Sequence, residues 1–206
     1  MGKGTQAQRL SAALRIPHVA TGDMLRAAVQ SHTPLGAKVG ALIGRGELVP
    51  DEIMVDVIRE RIGHSDTARG FLMDGFPRTV PQAEALGKIF AQQNRKVDAV
   101  IVLDAPDEAI VARITGRRTC ESCQVSYHLT AKPPKVEGVC DRCGGSLLQR
   151  SDDNATVVRH RLREYGVKTK PVIEYFQTHG WPMKPVDAIG DMDQVFGRIY
   201  AALFLN

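Results

Sequence analysis

The sequence predicts an α/β protein with a three-layer parallel sheet, and three observations carry that prediction. Short apolar runs end in polar turns, amphipathic stretches of helical period separate them, and a glycine-rich turn feeds the first helix. In chain order, Gly2-Lys3-Gly4-Thr5 opens a helix over 5–14, and an apolar run gives a strand over 16–20. Thr21 precedes a helix over 22–30, a second follows over 34–45, and Pro50-Asp51 introduces a third over 51–62. Phe71, Leu72 and Met73 make a strand over 71–74 that ends in the turn Asp74-Gly75-Phe76-Pro77-Arg78-Thr79. A helix over 80–93, a strand over 97–103 and a helix over 106–117 with Pro106 at its first position complete this half. The remainder holds a helix over 152–178, a strand over 185–188 and a helix over 194–205. Two stretches break the rhythm: 22–48 is all helical and reads as a small cap, and 118–149 is rich in glycine and proline with short β-like pieces.

Composition excludes several classes. At 206 residues, 43% hydrophobic and 24% charged, the chain is an ordinary globular sequence, which rules out a disordered, collagenous or mini-protein scaffold. No window approaches the roughly 18 consecutive apolar residues of a membrane span, and the polar start carries no apolar signal core, so a cytoplasmic protein is expected. The net charge of +4 fits a nucleotide, phosphate or polyanion partner without selecting among them. Trp181 and the tyrosines are not interleaved with basic residues as stacking on single-stranded nucleic acid requires, and no nucleic-acid partner is expected.

The four cysteines come as two pairs, Cys120/Cys123 and Cys140/Cys143, in the pattern C-x2-C-x16-C-x2-C. That spacing suits two knuckles presenting four thiolates to one zinc ion, with Gly138, Gly144 and Gly145 supplying the turns; buried or disulfide-bonded cysteine is the plainer alternative. Four sulfurs leave no open coordination position, so Zn2+ here is expected to be structural, holding the insert together. His128 is expected to pack beside the metal rather than to bind it, and the six histidines show no partner pattern.

Three further signals point to phosphate chemistry. Gly2, Lys3, Gly4 and Thr5 are the second half of a phosphate loop, G-x-x-x-x-G-K-[ST], aiming helix N–H groups and a lysine at one spot; a glycine-rich helix start reads the same. Asp74 and Arg78 sit where a strand ends, a position suited to Mg2+ and phosphate respectively, or to a solvated charge pair. Arg113 and Arg117, four apart on one expected helical face, precede the cysteine insert, and Arg150 and Arg161 follow it, so both hinges carry guanidinium groups that can close on an anion. Asp152 and Asp153 are expected to hold that hinge, whereas Arg9, Arg59, Arg163 and Arg198 read as solvated surface charges.

Taken in order, Gly2-Lys3-Gly4-Thr5, Thr21-Gly22-Asp23-Met24-Leu25-Arg26, Gly46-Glu47-Leu48-Val49-Pro50-Asp51, the Asp74–Thr79 turn, Thr115-Gly116-Arg117-Arg118 and Arg150-Ser151-Asp152-Asp153 resemble adenylate kinase over the whole chain, specifically its long-lid bacterial type with a zinc-binding lid. The resemblance implies a P-loop nucleoside monophosphate kinase fold. Its core would span 1–20, 50–117 and 150–206, with a helical monophosphate-binding insert over 21–49 and a zinc-held lid over 118–149. It implies Mg2+-dependent phosphoryl transfer, ATP + AMP ⇌ 2 ADP, by a monomer with ATP, AMP and ADP as partners. Gly2, Lys3, Gly4, Thr5, Arg113 and Arg117 are the implied ATP contacts. Thr21, Arg26, Glu47, Leu48, Val49, Gly75, Arg78, Gln82, Arg150 and Arg161 are the implied AMP contacts, with Thr21 and Gln82 on the base. Lys3, Arg78, Arg117, Arg150 and Arg161 form the implied catalytic set, and Asp74 holds Mg2+ through water.

The resembling fold also has an apolar strand and the opening half of the phosphate loop ahead of Gly2, so the working enzyme is expected to be longer. A sheet without that central strand would leave two neighbouring strands unpaired and activity impaired. Two alternatives stand beside the adenylate kinase reading: a kinase using GTP as donor or another monophosphate as acceptor, and a non-catalytic zinc-bearing relative that binds nucleotide or nucleic acid.

Overall fold

Alternation of side chains along short strands sorts the molecule into layers. The computed structural model describes residues 2–205. Its first half runs α1 (Lys3–Leu14), β1 (His18–Ala20), α2 (Thr21–Gln30), α3 (Pro34–Arg45), α4 (Asp51–Ile62), β2 (Leu72–Asp74), α5 (Val80–Gln92) and β3 (Val100–Asp104). The second half runs α6 (Asp107–Thr115), β4 (Arg117–Cys120), β5 (Ser126–His128), β6 (Leu147–Leu148), α7 (Ala155–Glu164), α8 (Lys170–Thr178), β7 (Met183–Asp187) and α9 (Met192–Phe204).

Leu72 on β2 and Ile101 and Leu103 on β3 face α1 and α9, where they meet Leu10, Val195 and Ile199. Their chain neighbours point the other way: Phe71 and Met73 pack with Ile58, Ile62, Leu86 and Ile89 of α4 and α5, and Val100 packs with Val172 and Phe176 of α8. Helices therefore cover both faces of the strands, as the sequence predicts. The strands form two parallel pairs, β1 with β2 and β3 with β7, rather than one continuous sheet. Among the described residues neither β2 nor β3 has a second strand partner, and the shared cluster of Leu72, Ile101 and Leu103 is what joins the two pairs.

Boundaries moved where a local constraint overrode periodicity. The helix expected over 106–117 stops at Thr115 with Gly116 after it, and Arg117 opens β4, paired with His128 of β5. Arg113 and Arg117 thus share no helical face. Pro106 precedes α6 instead of opening it, and Thr21 is the first residue of α2, its hydroxyl turned to the Asp74 carbonyl. The helix expected over 152–178 is broken into a 3-10 turn (Ser151–Asp153), α7 capped by Asn154, a π-helical segment (Tyr165–Thr169) and α8. Pro171 explains the π segment: it has no N–H for the carbonyl four residues back, and its ring crowds that carbonyl. The strand expected over 185–188 runs Met183–Asp187 and includes Pro185, which is tolerated because β7 pairs on one side only.

The all-helical stretch is the hairpin α2–α3. Thr33 caps α3 through its side chain, and Gly46 ends it with φ 74°. Leu25 and Val39 from this hairpin join the main core cluster with Val19, Ile58 and Phe76. Gly36 is the contact point, because a methyl group there would lie 2.1 Å from the Ala28 carbonyl oxygen. No helix among the described residues is long and apolar enough to cross a membrane.

Replacing Gly36 with Ala should therefore push α3 off α2. Denaturant unfolding should read a loss of about 1–3 kcal/mol, and an unchanged midpoint would mean the hairpin is not packed as described.

Candidate functional site

The C-terminal end of β2 is where the elements converge. Gly2, at φ 64°, precedes α1, whose first turn leaves the N–H groups of Lys3, Gly4 and Thr5 without helical partners. Those groups and the Lys3 ammonium make an anion site in the manner of a helix N-terminus. The helix start lies over Asp74, since a methyl group on Gly4 would come within 3.6 Å of Asp74 Oδ2. Lys3 Nζ is 3.0 Å from Asp74 Oδ1, and His18 Nε2 is 3.4 Å from Oδ2. Oδ1 makes an ion contact with Lys3 yet has no partner in hydrogen-bond geometry, so a lone pair remains for another ligand. Burial opposes ionisation of Asp74, but the His18 hydrogen bond and the Lys3 charge outweigh it and hold the carboxyl well below the usual carboxylate range.

Beside Asp74 lies a cleft between the α2–α3 hairpin and the core. Thr21, Arg26, Glu47, Leu48, Val49, Gly75, Arg78 and Gln82 line it together with Asp152 and Arg161. All the residues expected on AMP are thus brought to one place except Arg150, which does not line it. Gly75 is required by this geometry. Its φ is 86°, and a methyl group would meet Thr21 Oγ1 at 2.7 Å and an Arg78 guanidinium nitrogen at 3.0 Å. Arg78 Nε donates to the Gly75 carbonyl at 2.7 Å, which aims the rest of the guanidinium into the cleft. Gln82 is buried, receives the Arg78 N–H on Oε1 at 2.8 Å and donates from Nε2 to Asp51 Oδ1 at 2.8 Å.

Arg26, Arg78 and Arg161 line the cleft, and Arg117 and Arg150 belong to the same charge cluster. Arg117 makes a two-pronged contact with fully buried Asp153, one bond at 2.7 Å, and Arg161 donates to Asp152 at 3.1 Å. Asp23 receives Arg26 at 2.6 Å and lies 3.8 Å from Arg150. The expected hinge pairing by Asp152 and Asp153 is present, but to Arg161 and Arg117. Arg26, Arg78, Arg117, Arg150 and Arg161 outnumber Asp23, Asp152 and Asp153, so positive charge is left over. Burial, with Arg26 and Arg117 adding repulsion, pushes Arg150 down to about 10. Burial and the neighbouring Arg161 act the same way on Arg78. Such a surplus calls for an anion. Arg113 stands apart: it donates to the carbonyls of Ala188 and Gly190 at 2.8 and 3.1 Å. Arg9, Arg59 and Arg198 pair with exposed Asp193, Asp56 and Asp187, as solvated surface charges do.

The cysteine insert is a three-stranded antiparallel sheet, order β5-β4-β6, flanked by two like knuckles. The N–H of Gln124 closes on Cys120 O and that of Gly144 on Cys140 O, with Gly144 at φ 73°. The four sulfurs lie within 4.8 Å of one another, with Cys120–Cys143 at 3.4 Å and Cys123–Cys140 at 3.6 Å. A tetrahedral zinc with Zn–S near 2.3 Å needs sulfurs about 3.8 Å apart, so the donor set fits. Tyr127 Oη, which accepts the Asp141 N–H, lies 3.6 Å from Cys140 Sγ and supports it from outside. No disulfide joins these cysteines. His128 is absent from the sulfur cluster; it packs on Gly116 at the hinge and accepts the Thr130 and Ala131 N–H groups on Nδ1.

Sequence reading missed His18, Asp23, Asp51 and Thr169. Asp51 was visible only as a helix start, and Thr169, which donates to the Arg78 carbonyl at 2.9 Å, reaches it through the π segment. Nothing local marks His18, because only the parallel pairing of β1 with β2 delivers it to Asp74.

The family model described as "Adenylate kinase" matches residues 1–181. Among curated relatives, the adenylate kinase of Syntrophobacter fumaroxidans is 45% identical over 202 residues, covering 98% of this chain and 94% of that protein. The adenylate kinase of Carboxydothermus hydrogenoformans is 48% identical over the same coverage, and that of Staphylococcus epidermidis 47% identical over 94% of this chain and 90% of its own.

Two outcomes follow from the geometry. The chain should bind one zinc ion, and chelation should lower its melting temperature and expose the thiols to a chromogenic reagent; Cys140→Ser should do the same without chelator. Asp74, held ionised in the fold, stabilises it above the ordinary carboxylate pKa of about 4, and that stabilisation is lost as pH falls toward its depressed folded value. The stability gap between the wild type and Asp74→Asn should accordingly be widest near neutral pH and narrow in acid, and a gap independent of pH would contradict the Asp74 electrostatics.

Proposed function

Because the chain belongs to the adenylate kinase family, we propose how its side chains divide the work of that family's reaction, ATP + AMP ⇌ 2 ADP. The chain is a phosphotransferase of the nucleoside monophosphate kinase class. The observation that carries the assignment of roles is the unbalanced arginine cluster at the cleft, with the α1 N-terminus fastened beside it through Asp74. Phosphoryl transfer asks for alignment and charge neutralisation more than covalent chemistry, and this set supplies both.

In this reading the first turn of α1 with Gly2, Lys3, Gly4 and Thr5 holds donor phosphates. Arg26 and Arg78 hold the AMP phosphate, with Thr21, Gln82 and the Glu47 to Val49 segment around the nucleoside. Arg117, Arg150 and Arg161 neutralise the phosphoryl group in flight, and the counter-charges Asp152 and Asp153 orient two of them. Arg113 serves the donor base by way of the loop it fastens at Ala188 and Gly190.

Asp74 is ionised with a free lone pair, which suits holding Mg2+ through water. Bound with ATP, that ion would supply charge neutralisation on the phosphate oxygens. Lys3, released from Asp74, would then turn to phosphate. Zinc in the lid is structural. The α2–α3 hairpin over 21–49 and the lid over 118–149 close on the core of 1–20, 50–117 and 150–206 to exclude water from the transfer. A cytoplasmic monomer is the corresponding form. The reading as a non-catalytic nucleic-acid binder is not favoured.

ADP formation should require ATP, AMP and Mg2+ together. Arg78→Ala should lower kcat/KM for AMP about 100-fold or more while leaving the KM for ATP little changed. Equal losses for both substrates would remove Arg78 from the acceptor side, and GMP accepted as readily as AMP would overturn the choice of acceptor.

A further inference from the structure

Gln82 is 2% exposed, and both ends of its carboxamide are engaged by groups whose polarity cannot change. The backbone N–H of Arg78 can only donate, and it meets Oε1 at 2.8 Å. The carboxylate of Asp51 can only accept, and it meets Nε2 at 2.8 Å. An amide turned by 180° would face donor to donor at Arg78 and acceptor to acceptor at Asp51. Asp51 is itself fixed: it opens α4, and its other oxygen receives the hydroxyl of Thr79, which caps α5 and also accepts the Gln82 N–H. One carboxylate thus joins the N-termini of α4 and α5 and sets the orientation of the amide between them.

We propose that Asp51 is a positioning residue for acceptor-base specificity, acting by locking the Gln82 amide in one orientation. With one lone pair and one hydrogen engaged, Oε1 keeps a second lone pair and Nε2 a second hydrogen. Gln82 lines the cleft, so this acceptor and donor, side by side in fixed order, are what it offers there. The edge of adenine presents an amino donor beside a ring-nitrogen acceptor. The same edge of hypoxanthine presents a carbonyl acceptor beside a ring N–H donor, with the rest of the nucleotide unchanged. An amide free to turn serves both, whereas a locked one serves a single polarity and leaves the other with unpaired buried groups. Asp51 shares this lock with the Arg78 N–H, and so contributes to discrimination between amino and oxo purines without touching the base. This inference rests on the reading of the cleft as the AMP site.

The test is calorimetric binding of AMP, IMP and ribose 5-phosphate to the wild type and to Asp51→Asn, Asp51→Ala and Asp51→Glu, with melting curves to establish that each variant is folded. Asn, which offers either polarity, and Ala, which offers neither, should each cut the AMP-to-IMP affinity ratio about tenfold, with IMP gaining in absolute affinity. Glu, an acceptor only, should return the ratio toward that of the wild type. A merely structural role would weaken AMP and IMP in parallel at constant ratio, and that result overturns the lock while leaving the AMP site standing. A wild type that binds AMP no better than ribose 5-phosphate overturns the base-site reading and the lock with it.

Discussion

Asp74 holds the site together through three separate attachments. Its side chain meets Lys3 from α1 and His18 from β1, and its carbonyl receives the Thr21 hydroxyl from α2. The next residue, Gly75, adopts a left-handed conformation that brings Arg78 back against its carbonyl. One strand end therefore fixes the helix that offers N–H groups, the hairpin that walls the cleft and the arginine inside it. Because a buried carboxylate is tolerated only when its charge is answered, the cation of Lys3 and the imidazole of His18 are conditions for this strand end to exist as drawn.

The arginine cluster follows a related economy. A guanidinium cluster repels itself, and burial raises that repulsion, as the lowered Arg78 and Arg150 show. Asp152 and Asp153, both buried in the turn before α7, offset part of it and orient Arg161 and Arg117. Neutralisation stops short of balance. The unfilled remainder is an attraction for phosphate built into the folded protein, oriented before any ligand arrives.

Much of this was legible in the chain. Strand ends, the knuckle spacing of the cysteines, and the glycine-lysine helix start each have a local physical cause, and the structure places them where that cause predicts. What escaped was non-local or phase-dependent. Arg117 reads as helical because it lies four positions after Arg113, yet Gly116 ends α6 and the antiparallel partner His128 claims the next residue. His18 and Asp51 look like an unremarkable strand residue and a helix opener. Their roles arise from pairings across 56 and 31 positions, which no window on the sequence contains. The division of the strands into two parallel pairs is likewise a property of neighbours and not of any run of residues.

The π-helical segment between α7 and α8 has a geometric consequence of its own. Each residue turns an α-helix by about 100°, so a wider turn accommodating one more residue rotates everything after it by about that angle. Val158, the buried residue of α7, accordingly stands apart from the cluster under α5 that takes Val172 and Phe176 of α8. The two helices act as a crankshaft with an offset throw: one journal carries Arg161 toward the cleft, the other seats against Val100, Met183 and Ala83, and Thr169 at the offset reaches the Arg78 carbonyl. The angle between these two duties is set by a count of residues, so segment length, more than the identity of any side chain within it, keeps cleft-lining and packing surfaces in step.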